Sequence, residues 1–219
     1  MKKNKKKILF SIIILILLFI FYTLLVKYYD VKSIGPENTK VGFAAINNLF
    51  YTHFGYNELL YKITKYLGFI PFLLVAFYAF VGLKQLLKEK SLAKVDKKLI
   101  ILGCFYILVG FVYLLFELFV VNYRPIILDE GLEASYPSSH TILAICICVS
   151  SLMISKYYIK NKNILKLFNI FTIILMSIIV LGRLFSGVHW FTDIIGGIIV
   201  SIVLLYMFYY GIYGFLKKK

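Results

Sequence analysis

The sequence predicts an all-α integral membrane protein: a bundle of six transmembrane helices with both termini in the cytoplasm. Three observations lead there. Hydrophobic residues make up 61% of the chain, which excludes an ordinary soluble domain. Six apolar runs are long enough to cross a hydrocarbon core of ~30 Å. Lysines gather at alternate ends of those runs, as membrane topology requires. One membrane domain spanning residues 1–219 is expected, and no internal repeat is visible.

The first run, Ile8–Val26, follows a lysine cluster. It is too long for the apolar part of a secretory signal, and no small-residue cleavage site follows, so it reads as a transmembrane helix. Residues 27–59 form the one long non-spanning stretch. Gly35-Pro36 marks a turn. From Phe43, apolar residues recur at Ile46, Phe50 and Phe54, which predicts a short helix lying on the membrane surface. Asn57 and Glu58 suit the start of the second span, Leu60–Leu87. The remaining spans are expected at Leu99–Val121, Ser139–Ile154, Ile164–Leu181 and Thr192–Tyr210, the fourth being short for a full crossing.

Of the 25 basic residues, 18 fall at the N-terminus, in 84–98, in 156–166 and in the closing lysines. The bias puts that side in the cytoplasm. It also disposes of a nucleic-acid reading of the +15 charge, because the lysines flank apolar runs. Cys104, Cys146 and Cys148 lie inside apolar runs and read as buried packing residues. Tyr28, Tyr29, Tyr123, Tyr157 and Tyr158 lie near span ends and fit an interfacial belt.

Parity then carries a consequence. Spans three and four are joined on the outside, as are spans five and six. Arg124, His140, Arg183, His189 and Asp193 therefore all fall on the outer face. Arg124 and Arg183 are the only arginines in a lysine-rich chain. A guanidinium binds two oxygens of a phosphate or carboxylate at once, which an ammonium cannot match. His189 and Asp193 are four apart, so on a helix the carboxylate can hold the imidazole and fix its tautomer. Pro137-Ser138-Ser139-His140 precedes an apolar helix, whose N-terminus is an anion site as well as a capped end. Gly182 lets backbone approach an anion without a side chain. The set suits phosphoryl transfer: two arginines clamp the phosphoryl charge, His189 attacks and His140 protonates the leaving oxygen. No metal site is expected, since the third histidine, His53, lies in a separate segment.

These stretches resemble the signature of the type-2 phosphatidic acid phosphatase family, the lipid phosphate phosphatases related to vanadium haloperoxidases. That signature runs KxxxxxxRP, PSGH, SRxxxxxHxxxD. Arg124-Pro125 matches the end of the first part. Pro137, Ser138 and His140 match the second, with Ser139 for glycine. Arg183, His189 and Asp193 match the third, with Gly182 for serine. The resemblance implies a phosphohistidine on His189 oriented by Asp193, with His140 as general acid. It also implies phosphate binding by Arg124, Arg183, Ser138 and nearby amides, to which Ser139 and Gly182 can add N–H groups. It implies no cofactor, and a membrane lipid phosphate as substrate. Polyprenyl diphosphate, phosphatidate and phosphatidylglycerol phosphate are the candidates, in that order. A non-hydrolytic lipid-phosphate binder or transporter, and a phosphotransferase to an acceptor other than water, are the rival readings. The composition suggests a bacterium with an AT-rich genome; oligomeric state is not legible.

One departure stands out. Seven positions before Arg124 the family's lysine is replaced by Glu117. A carboxylate in a span needs a reason. Three readings stay open: Glu117 is protonated, it braces Arg124 or Arg183, which is the preferred one, or it marks a weakened or repurposed enzyme; Lys62 or Lys65 could supply the missing positive charge.

Overall fold

The computed structural model describes residues 2–128 and 131–216; of Lys2 only the backbone is described. Met1, Asp129, Glu130 and the closing lysines expected in the cytoplasm lie outside the described residues. Among the described residues, six segments are long and apolar enough to cross a membrane. The first is α1 (Lys2–Tyr28). The second is broken into α3 (Glu58–Leu67) and α4 (Ile70–Glu89). The others are α5 (Lys97–Leu118), α6 (Ser139–Tyr158), α7 (Lys162–Phe185) and α8 (Phe191–Leu216). Between α1 and α3 lie a two-residue hairpin, β1 (Lys32–Ser33) with β2 (Lys40–Val41), and the short α2 (Ala44–Phe54).

α6 and α8 are enclosed by protein, while α1, α4, α5 and α7 turn broad apolar faces outward. This explains why the fourth span looked short. Its Thr141, Ser150, Ser151 and Ser155 are buried, so α6 does not need a lipid-compatible surface. Around it Tyr78, Leu102, Phe105, Val109, Ile142, Cys146, Leu204 and Phe208 form the main apolar core. Cys146, in that core, and Cys148, elsewhere on α6, are buried as expected, but Cys104 is exposed on the outer surface of α5, where a small apolar side chain suits lipid.

α1 runs antiparallel to α8. Asn4 Nδ2 donates to the Tyr213 hydroxyl at one end (3.0 Å), and the Tyr22 hydroxyl donates to Thr192 O at the other (3.1 Å). The second span, expected as one run over Leu60–Leu87, is bent. Phe69 N bonds Tyr66 O at 3.1 Å as α3 closes. Pro71 then stands in the first turn of α4, where a missing N–H leaves no helical bond unmade. Asn57 caps α3 as expected, its Oδ1 accepting from Leu60 N at 2.9 Å.

The bend lays α3 across α7 rather than along α4. The contact is possible because residue 182 is glycine. A Cβ there would come within 2.3 Å of Thr64 Cγ2. The glycine thus serves helix approach, and its bare Cα faces α3. Gly182→Ala should destabilise the protein by about 1–3 kcal/mol through overpacking. Thr64→Ser removes the clashing methyl and should recover most of that loss, read as the thermal midpoint in detergent. Failure of Thr64→Ser to rescue would mean that the α3–α7 contact is not what the glycine permits.

α2 is present where the 43–54 pattern placed it, but it is more than a surface helix. Asn47 is fully buried, donates to Gly42 O and Thr192 Oγ1, and accepts from Thr192 N. Phe50 stacks on Phe191 with centroids 4.2 Å apart, and Tyr51 packs on Trp190. The helix is therefore tied down on the start of α8.

Candidate active site

Five sequence-predicted residues meet at one end of the bundle, where α5 and α7 end and α6 and α8 begin. Their placement follows from helix termini. His140 is in the first turn of α6, and Arg183 in the last turn of α7. His189 lies in the short connection to α8, and Asp193 in the first turn of α8. Gly187 makes that connection sharp: its φ is +67°, and a Cβ would fall 1.9 Å from Gly55 O.

Arg183 is 1% exposed, and its Nε and Nη1 have no hydrogen-bond partner among the described residues. The guanidinium lies over the Tyr61 ring, 5.2 Å from its centroid. A buried cation with two unanswered donors is costly unless an anion binds it. Arg124 is also buried. Its Nη1 lies 3.5 Å from both Val188 O and His189 Nε2. Its Nε is 2.8 Å from Glu133 Oε2, an ion-pair distance without the alignment of a hydrogen bond. His140 Nδ1 is buried and unpartnered too. The charges acting on His140 are, in order, Arg183, Arg124 and Lys65.

His189 is held at Nδ1, 3.1 Å from Ser135 O and 3.1 Å from Ser135 Oγ. Burial above all, then the charges of Arg124 and Arg183, pushes its pKa well below the usual 6.5. The imidazole is therefore neutral at ordinary pH and has a lone pair to offer.

Asp193 is not where a helical i,i+4 spacing would put it. His189 precedes the N-cap of α8, so the two residues do not share a helix face. Asp193 Oδ2 instead accepts from Trp190 N at 2.9 Å, closing the first turn as the third residue of a capping box does. The same oxygen accepts from Ser135 Oγ, and Oδ1 accepts from Asn122 Nδ2 at 3.2 Å. The expected Asp193–His189 contact is thus replaced by a route through Ser135. Ser135 and Asn122 face each other because Tyr123 and Ala134 pair as an antiparallel bridge, with Ser135 N bonding Asn122 O at 2.9 Å.

The serines differ. Ser138 is fully buried, accepts from Thr141 Oγ1 at 3.0 Å, and bonds Asp193 O through its own N–H. Ser139 instead lines the open space: a cavity of 230 Å³ with Lys65, Phe72, Tyr113 and His140, and a smaller one reaching His189. Among the described residues no group of three or more His, Cys, Asp or Glu side chains is placed to hold a metal ion.

Glu117 makes no ion pair with either arginine among the described residues; its partner is Tyr113 on the same helix. The brace on Arg124 comes from Glu133, which no motif or periodicity marks out. Lys62 is engaged with Glu58 at 2.6 Å, which leaves Lys65 as the lysine facing the His140 cavity. Glu133→Gln should therefore lower stability by about 1–3 kcal/mol, the worth of a charged contact. Glu117→Gln should stay within about 0.5 kcal/mol. Thermal unfolding in detergent separates them, and the reverse ranking would return the brace to Glu117.

A helical membrane bundle with paired arginines and two histidines at one end defines a class, and the comparisons agree with it. The family model described as the PAP2 superfamily matches residues 72–216, a stretch that contains Arg124, His140, Arg183, His189 and Asp193. The chain belongs to the PAP2 superfamily. In fold it is similar to the crystal structure of "the first transmembrane PAP2 type phosphatidylglycerolphosphate phosphatase from Bacillus subtilis". That match has 16% identity and a TM-score of 0.57, covering 95% of this chain and 98% of that one. No curated protein gave a significant match.

Proposed function

We propose that the protein is an integral membrane phosphatase that hydrolyses a lipid phosphomonoester or diphosphate at the extracytoplasmic face, without a metal, through a phosphohistidine on His189. The observation that carries this reading is Arg183, a buried guanidinium whose Nε and Nη1 have no hydrogen-bond partner among the described residues. Unpartnered guanidinium donors call for an oxyanion, a phosphate or a carboxylate, and the superfamily match favours the phosphate. Neutral His189 has its Nε2 3.5 Å from Nη1 of Arg124, the other buried guanidinium of the site. In the first step the Nε2–P bond forms, the P–O bond to the lipid breaks, and His140 gives the leaving oxygen its proton. In the second, His140 takes a proton from water, which attacks phosphorus and frees His189.

The apolar cavity beside His140 suits a lipid chain attached to the leaving oxygen, with Phe69, Phe72 and Leu143 in its wall. Polyprenyl diphosphate, phosphatidate and phosphatidylglycerol phosphate are the lipids to try, the last being the substrate named for the Bacillus subtilis protein of similar fold. Purified protein in detergent with a chelator should release phosphate from at least one of them. Binding without release would favour a lipid-phosphate carrier, and loss of release on chelation would remove the metal-free mechanism.

The outward orientation rests on the lysine bias, which places the site opposite the basic end. A cysteine at Lys40, in a background without other cysteines, should react with an impermeant thiol reagent in intact cells. One at Lys94 should react only after the membrane is opened. The opposite pattern would turn the site to the cytoplasm.

A further inference from the structure

Ser135 stands between two groups of the site and has no role in the steps above. It is 2% exposed, in the loop before α6. Its Oγ donates to Asp193 Oδ2 and lies 3.1 Å from His189 Nδ1. A hydroxyl has one hydrogen and two lone pairs. Asp193 accepts three hydrogen bonds, from Ser135 Oγ, Trp190 N and Asn122 Nδ2, so its carboxylate is an acceptor throughout. The serine hydrogen therefore belongs to the Asp193 contact, and toward His189 the serine oxygen can only accept. The Ser135 carbonyl, also 3.1 Å from Nδ1, can only accept as well. Both demand a proton on Nδ1, and the lone pair is left on Nε2.

We propose that Ser135 is a positioning residue that conveys the charge of Asp193 to His189, holding the Nδ1–H tautomer and stabilising the ring as it becomes cationic. The proposal rests on reading His189 as the nucleophile. When Nε2 bonds phosphorus and the lipid oxygen departs, Nδ1–H stays in place and the ring gains positive charge. That charge is answered by Asp193 across the polarised hydroxyl. Ser135 itself neither gains nor loses a proton. A carbonyl alone fixes the tautomer but brings no net negative charge, so the hydroxyl is what couples the carboxylate to the ring.

The test uses the full chain in detergent and whichever lipid phosphate of the panel is turned over fastest. Ser135→Ala should lower kcat by about 10- to 100-fold, with KM within about threefold, in a protein that still folds although its thermal midpoint falls by a few degrees with the lost buried hydrogen bond. Adding Asp193→Asn to Ser135→Ala should cost little more, because the carboxylate then has no route to the ring. Ser135→Thr keeps the hydroxyl and should recover most of kcat. Ser135→Cys, a poor donor, should not, and it carries the test if the alanine variant does not fold. A Ser135→Ala or Ser135→Cys enzyme with wild-type kcat would overturn the assignment, as would costs of Ser135→Ala and Asp193→Asn that multiply in the double variant. Wild-type protein that releases no phosphate would defeat the phosphatase reading itself; active wild type with unaffected Ser135 variants defeats this inference alone.

Discussion

His189→Ala should reduce lipid phosphate hydrolysis by about 10⁴-fold or more while the protein remains folded and membrane-inserted. The size follows from what the residue supplies. Losing a nucleophile from a group that acts as a unit costs about as much as losing the whole group. The small effect on folding follows from position. His189 lies in the connection between α7 and α8, outside the transmembrane helices, and among the described residues its side-chain hydrogen-bonding contacts are with Ser135 and, at a longer distance, Arg124. Activity and thermal midpoint measured on one preparation would separate the two effects. Retention of more than a trace of turnover, with the fold intact, would remove His189 from the chemistry.

Arg183→Lys should be the next most damaging change, costing about 2–4 kcal/mol of transition-state stabilisation, in line with the loss of preorganised donors to a developing charge. Charge is kept and the fork is lost. Arg124→Lys should cost less, because Arg124 already spends part of its guanidinium on Glu133 and the Val188 carbonyl, whereas Nε and Nη1 of Arg183 are unanswered. The order matters more than the absolute values. Steady-state kinetics on both variants would check it, and near-neutral behaviour of Arg183→Lys would undo the argument that begins from the scarcity of arginine in this chain.

The membrane architecture was readable in the sequence because burial in lipid leaves a one-dimensional trace: a run of apolar residues and a lysine at its end. Parity of the six runs was then enough to bring Arg124, His140, Arg183, His189 and Asp193 together. What stayed hidden depends on contacts between distant segments. The bend in the second span had a local sign in Pro71, which belongs to a helix start, but the apolar run continues through it. Gly182 read as an opening toward an anion, and only the crossing of α3 shows that Thr64 fills the space. The Asp193–His189 spacing suggested a direct pair. That inference needed both residues inside one helix, and α8 begins two residues after His189. Ser135 and Glu133 sit in a polar loop with no periodicity to mark them, and they gain their places from the bridge between Tyr123 and Ala134.

The central claim is that His189 forms a bond to phosphorus. Rapid acid-free quenching of the purified protein with a ³²P-labelled lipid phosphate, followed by denaturation and separation, reads that bond directly. The account predicts an acid-labile, alkali-stable label on the wild-type chain that appears before steady release and is absent from His189→Ala. Label persisting in His189→Ala, or rapid phosphate release from a wild-type protein that never takes up label, would contradict it.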